Sequence, residues 1–203
     1  PASQYLALGS GFVVKYSVGV ATAGGGTVDG YSDLKARVIV KRGSTVISEF
    51  QDAEFVGVTA GQSYTFDASP YLKDATAYTV QVEAQATYQG GMLMKTATAK
   101  VTMVAMTLET TYSVGNGLAD GGYRNDVNIP FTAKGTSGEK NIYYRVNGGQ
   151  AFTLGLSAGS GVQQKNVTIP LTQMQEGTNV VEAYAQHENS GVVSRVHYIT
   201  LLK

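Results

Sequence analysis

Two side chains in this sequence, His187 and His197, are able to act near neutral pH as unperturbed bases or as imidazole ligands, and no His-Glu-x-x-His or comparable spacing surrounds either. His187 falls where HENSG predicts a turn and His197 in the last strand-like segment, so both read as surface or rim histidines. Serines are plentiful, but nothing around them reads as the helix that must follow a nucleophile elbow, so a Ser-His-Asp triad is not expected. Ala23 to Thr27 form a glycine-rich loop without the Lys-Ser/Thr and the helix amino end that would hold a phosphate, and it reads as a connection. Asp29 with Asp33, and Asp120 with Asn125 and Asp126, place oxygen donors in glycine-rich loops, as a hard cation prefers. Neither set has the spacing of a known calcium loop, and Asp and Asn are ordinary turn formers, so no metal and no cofactor is expected. The sequence thus predicts a protein that is not an enzyme.

Binding is better provided for. Thirteen tyrosines are present, and rigid aromatic rings with a polar tip suit sugar rings and protein contact sites. If Ile142, Tyr144 and Val146 face a core, Tyr143 and Arg145 face outward; if Val181 and Ala183 are buried, Tyr184 faces outward from a neighbouring strand. Tyr143, Arg145 and Tyr184 are therefore the candidate binding residues, against the plain alternative that tyrosine serves only as a strand former. The absence of tryptophan weighs against a carbohydrate platform.

The elements that must position these residues are strands. Tyr78, Val80, Val82, Ala84 and Ala86 alternate with Thr79, Gln81, Glu83, Gln85 and Thr87, and the same period of two runs through 96–103 and 64–67. No window shows a helical stripe. The line VEAQAT at 82–87 returns as VEAYAQ at 181–186, and the two halves can be laid over one another. The hairpin VIVKRGSTV at 38–46 answers YRVNGGQAF at 144–152, where Asn147 and Gly148 reach positive φ at little cost. YTFDASPYL at 64–72 answers VTIPLTQM at 167–174, each with a proline that suits an edge. The long segments 93–104 and 192–202 close each half. About seven strands per half, in roughly 100 residues, match a Greek-key β-sandwich. The expected architecture is all-β, two tandem Greek-key sandwiches, residues 1–105 and 106–203, joined near Ala105 to Leu108 by a linker without the glycine and serine of a flexible one.

In the first half, LKDATAYTVQVEA at 72–84 resembles the fibronectin type III pattern of a leucine, a short turn and a tyrosine before the sixth strand. By that resemblance Tyr78 is a corner tyrosine whose hydroxyl ties back to the backbone. The second half departs from it, with Gly177, Thr178 and Asn179 at the turn, and is closer to bacterial and phage immunoglobulin-like modules. VNIPFTAKG at 127–135 and IYYRVNGG at 142–149, together with that turn, resemble sandwich modules in tail proteins of gut Bacteroides phages and in surface proteins of those bacteria.

The resemblance implies a structural or adhesion segment of a larger virion or cell-surface protein, most readily a phage tail or appendage component, outside the cell. The alternative is a carbohydrate-binding accessory module of a secreted bacterial glycan-utilisation protein. The expected partners are other domains of the parent chain or particle and a surface glycan or receptor. With fifteen basic residues against fifteen acidic ones there is no field to draw nucleic acid. The longest apolar stretches, such as VTMVAM at 101–106, are far short of the roughly 18 residues a membrane helix needs. There is no cysteine, so any stability comes from packing alone. A chain opening on Pro1 reads as a piece of something longer.

Overall fold

The computed structural model describes residues 3–112, 122–156 and 161–203. The chain divides into two compact units, Pro1–Met103 and Val104–Lys203. Both are built from strands, with three single-turn 3-10 segments and no α-helix among the described residues.

In the first unit the strands are β1 (Gln4–Ala7), β2 (Val13–Ser17), β3 (Tyr31–Arg42), β4 (Thr45–Val46), β5 (Val56–Gly57), β6 (Ser63–Asp67), β7 (Ala77–Tyr88) and β8 (Gly91–Val104). One sheet runs β1-β8-β7-β3-β4 with β5 also on β3; the other is β2 against β6. Between them lie Val40, Val80, Val101 and Met103, all fully buried, with Phe66 and Val14 packed from the smaller sheet. In the second unit the strands are β9 (Met106–Thr110), β10 (Val127–Gly135), β11 (Lys140–Val146), β12 (Phe152–Leu156), β13 (Gly161–Ile169), β14 (Thr178–His187), β15 (Val192–Val193) and β16 (His197–Leu202). Its sheets run β13-β10-β9 and β12-β11-β14-β15, with β16 also on β14. Ile129, Phe131 and Ile169 from one sheet meet Ile142, Val181 and Leu201 from the other in a single core. Each unit is a sandwich of two sheets, and β2, β3, β6 and β7 stand in the first where β10, β11, β13 and β14 stand in the second.

The period-two reading holds along β7 and β14, where Val80 and Val82, and Val181, Ala183 and Ala185, are buried. Asn147 (φ 50°) and Gly148 (φ 68°) both adopt left-handed backbone, and Asn147 fixes the hairpin by accepting the Val180 N–H on Oδ1 at 2.8 Å.

Tyr78 is buried and its hydroxyl accepts the Asp74 N–H at 3.0 Å, the tie that the corner-tyrosine pattern implies. The second unit makes the equivalent tie with a different side chain: Asn179, also buried, accepts the N–H of Gln175 on Oδ1 at 2.9 Å and donates to Gln175 O at 2.8 Å. In each unit the second residue of the strand reaches back four positions. Changing Tyr78 to phenylalanine leaves the Asp74 N–H without its acceptor. The first unit should lose about 1–2 kcal/mol, read as a lower midpoint for its transition in urea, while the second unit's midpoint stays where it was; an unchanged first midpoint would show that the bond contributes nothing.

Two features differ from the sequence expectation. The closing segment of the second unit is not one strand, because Tyr184 and Ala185 of β14 oppose Ser194, Arg195 and Val196, one residue more. The buried Ser194 fills the irregularity, its N–H donating to Ala185 O at 2.8 Å and its Oγ accepting from Ala185 N at 2.9 Å. His187 is not a rim residue either. It ends β14 on the inward phase and is fully buried. Its Nε2–H donates to Ser137 O at 3.0 Å and its Nδ1 lies 2.8 Å from Ser190 Oγ. Both ring nitrogens are satisfied, which removes most of the cost of burying the imidazole. A Cβ on Gly138 would stand 2.7 Å from Nε2, so glycine is needed for the chain to close over the ring.

Lys140 faces His187 across the β11–β14 ladder and is likewise fully buried, its Nζ donating to Gly138 O at 3.1 Å. Burial removes the ammonium from water and holds its pKa below the ordinary lysine value. The folded state then binds fewer protons than the unfolded chain between the lowered pKa and about 10.4, so unfolding becomes harder as pH rises through that window. Urea melts taken upward from neutral pH to about 10.4 should show the second unit gaining stability toward the alkaline end in the native chain and losing that slope in Lys140→Met. A slope that survives the substitution would assign it to another group.

Candidate functional site

The outer face of the second unit's larger sheet carries the sequence candidates. β11 and β14 place Tyr143 opposite Tyr184 and Arg145 opposite Glu182, and β16 places Tyr198 on the other side of Glu182. The inward phase belongs to Ile142, Val146, Val181 and Ala183, all buried, so these five are the outward set. Tyr144 faces inward as expected, packing on the core and stacking on Phe152. The rings of Tyr143 and Tyr184 stack with centroids 5.4 Å apart and planes 19° from parallel. Such an offset pair is held by dispersion and by the ring quadrupoles. The Tyr143 hydroxyl donates to Glu188 Oε1 at 3.0 Å, and this bond to a carboxylate raises the phenol's pKa. Arg145 Nε is bonded to Glu182 Oε2, which pushes the guanidinium pKa further up.

These residues surround a concavity of about 310 Å³, with Ala151 and Val196 completing its wall. Tyr198 is the most open aromatic there, at 68% of its free exposure. The structure thus brings together Tyr143, Arg145 and Tyr184, and adds Glu182 and Tyr198. The first follows from the same period of two that exposes Tyr184. The second needs the β14–β16 register, which no local pattern supplies.

A comparison inside the chain sharpens the point. In the first unit Arg37 stands opposite Glu83 as Arg145 stands opposite Glu182. There, however, Arg37 also donates to Ala53 O at 3.1 Å and lies 4.4 Å from the Phe55 ring centroid, so the pair is covered by its own loop. Lys35 and Gln85 occupy the positions of Tyr143 and Tyr184. The same scaffold carries an aromatic, open version of the face in one unit only.

The remaining candidates do not assemble into chemistry. His197 bonds through Nε2 to Leu108 O and His187 is sealed in the core. No group of three His, Cys, Asp or Glu side chains gathers to hold a metal among the described residues. Asp29 and Asp33 are exposed, Asp33 at a bulge of β3 with φ 53°. Asp126 is engaged in accepting the Leu171 N–H at 2.8 Å, and Asp120 lies outside the described residues. The glycine loop is a closed turn, Gly25 N donating to Thr22 O at 2.9 Å and Gly26 N to Thr22 Oγ1 at 3.0 Å. The chain does contain one Gly-x-Ser-x-Gly spacing, 155–159, but it joins strand β12 to strand β13, whereas an elbow requires a helix to follow; Ser157 itself lies outside the described residues.

No family model matches the chain, and no curated protein matches it. Among solved structures it is similar to the chicken interferon gamma receptor alpha chain, at 11% sequence identity and a TM-score of 0.32, over 99% of this chain and 95% of that one. The fold described above rests on the strand order and register of the chain itself. That fold suits a structural or binding module. No helix among the described residues is long and apolar enough to cross a membrane.

Proposed function

We propose that this chain is a non-enzymatic adhesion or structural segment of a larger protein displayed outside the cell, on a cell surface or a virion, with a phage tail or appendage as its setting. The observation that carries the reading is the open face of the second unit, where Tyr143, Tyr184 and Tyr198 frame a concavity beside the Arg145–Glu182 pair. It offers ring faces, one hydroxyl engaged by Glu188 and a charge pair that cancels, and no nucleophile stands beside a free base. Such a set supports holding a partner rather than turning one over. The setting is supported by the resemblance of the 127–135 and 142–149 segments to phage and bacterial surface modules.

The second reading, an accessory carbohydrate-binding module of a secreted bacterial glycan-utilisation protein, is favoured by the electrical neutrality of the same concavity, since Glu182 offsets Arg145 and neutral sugars are bound by aromatic faces and paired polar groups. Saturable binding of the full chain to bacterial cells, competed by no purified glycan, supports the first reading. Saturable binding to defined glycans transfers the site to the second. Turnover of a bound ligand would overturn both.

A further inference from the structure

The two units fill one position differently. In the second, the smaller sheet has three strands because β9 pairs along the outer edge of β10, from Thr110 opposite Phe131 to Met106 opposite Gly135. In the first, the smaller sheet has two: among the described residues β2 pairs only with β6, and the strand that precedes it, β1, has gone to β8 in the other sheet. Phe12 shows which side of β2 is used. Its carbonyl accepts from Ala68 N at 2.9 Å and its N–H donates to Ser69 Oγ at 2.8 Å, both toward β6. Backbone groups alternate sides along a strand, so those of Val13, Lys15 and Ser17 point the other way.

That other way is a groove of about 350 Å³, walled by Phe12, Val13, Val14 and Lys15 on one side and by Thr98, Ala99 and Lys100 of β8 on the other, with Gln4 of β1 at its border. Lys15 and Lys100 are exposed, and neither is paired with a carboxylate among the described residues. In the second unit the strand filling this place is alternately buried and exposed, with Met106 and Leu108 inward, and its outward Glu109 meets Lys134 of β10 at 3.4 Å.

We propose that the β2 edge of the first unit is a docking site for an extended strand of a partner polypeptide, apolar at alternate positions and carrying an acidic side chain for Lys15 and Lys100. The main-chain ladder would supply affinity, and the alternate apolar positions with the carboxylate would supply selection. The positive rim favours a foreign acidic strand over a second copy of this edge, whose own lysines would oppose each other.

The probe is a synthetic peptide with the sequence of residues 104–111, VAMTLETT, the strand that fills this place in the second unit. It is titrated to millimolar concentration into the isotopically labelled full chain, with amide shifts and hydrogen exchange followed by NMR. Expected are saturable shifts and slowed exchange at Val13, Lys15 and Ser17. Lys15→Glu should weaken binding roughly twofold to fivefold, as an exposed pair does, and a peptide with lysine for its glutamate should recover the loss. Val13→Pro removes one outward donor at the first residue of an edge strand, where proline is tolerated, and should weaken binding about tenfold with melting unchanged. No saturable shift, shifts confined to other residues, or protection of these amides by the unliganded chain at rising concentration would each overturn the proposal, the last in favour of a second copy.

Discussion

Truncating Phe131 to alanine should destabilise the second unit by about 3–5 kcal/mol. The ring is 1% exposed and sits at the middle of β10, opposite Thr110 on one side and Lys165 on the other, where it touches the inward faces of both sheets. Ile129 and Ile142 of the same core are β-branched and Ala183 is small, so these three cannot refill the space. For a unit of this size the loss corresponds to a fall in melting temperature of roughly 15 °C or more. Differential scanning calorimetry of the full chain should show one transition moving down and the other staying in place. Equal movement of both would show that the two units do not unfold independently, and a shift of only a degree or two would show that Phe131 is not a core residue.

The second large effect concerns the open face. If a ligand seats in the concavity, Tyr143→Ala with Tyr184→Ala removes a stacked pair and should cost about 2 kcal/mol or more of binding, a fall in affinity of thirtyfold or so. Tyr198→Ala is the cleaner companion, since a side chain so exposed contributes within about 0.5 kcal/mol to folding. Binding to cells or glycans should therefore fall about tenfold in Tyr198→Ala while the melting curve is unchanged. Full binding by both variants would place the contact elsewhere on the chain and remove the aromatic face from the functional reading.

Most of what builds this face was legible in the sequence. Period-two alternation depends only on near neighbours, so the outward phase of Tyr143, Arg145 and Tyr184 could be read without knowing any partner strand. The Asn147-Gly148 turn was legible for the same reason, being set within a few residues, whereas the Tyr78 tie was implied by the resemblance of 72–84 to the fibronectin type III pattern. What was not legible depends on strands distant in sequence. Tyr198 joins the patch through the β14–β16 register. The transfer of β1 to the larger sheet is a matter of strand order, on which local pattern is silent. His187 reads as a turn residue because it opens HENSG, whereas the inward phase of Val181, Ala183 and Ala185 continues through it and two hydrogen bonds make its burial tolerable.

The extra residue between β15 and β16 gives length, rather than residue type, control over the patch. At Val192 and Ser194 the inward positions are even-numbered, and from His197 onward they are odd-numbered, ending in the buried Ile199 and Leu201. Loss of a single residue from 194–196 with the turn held fixed would reverse that parity, drawing Tyr198 toward the core and turning the two aliphatic side chains to water. No substitution has this reach. A one-codon deletion at this irregularity would therefore rewrite the patch and test the fold of the unit in the same step.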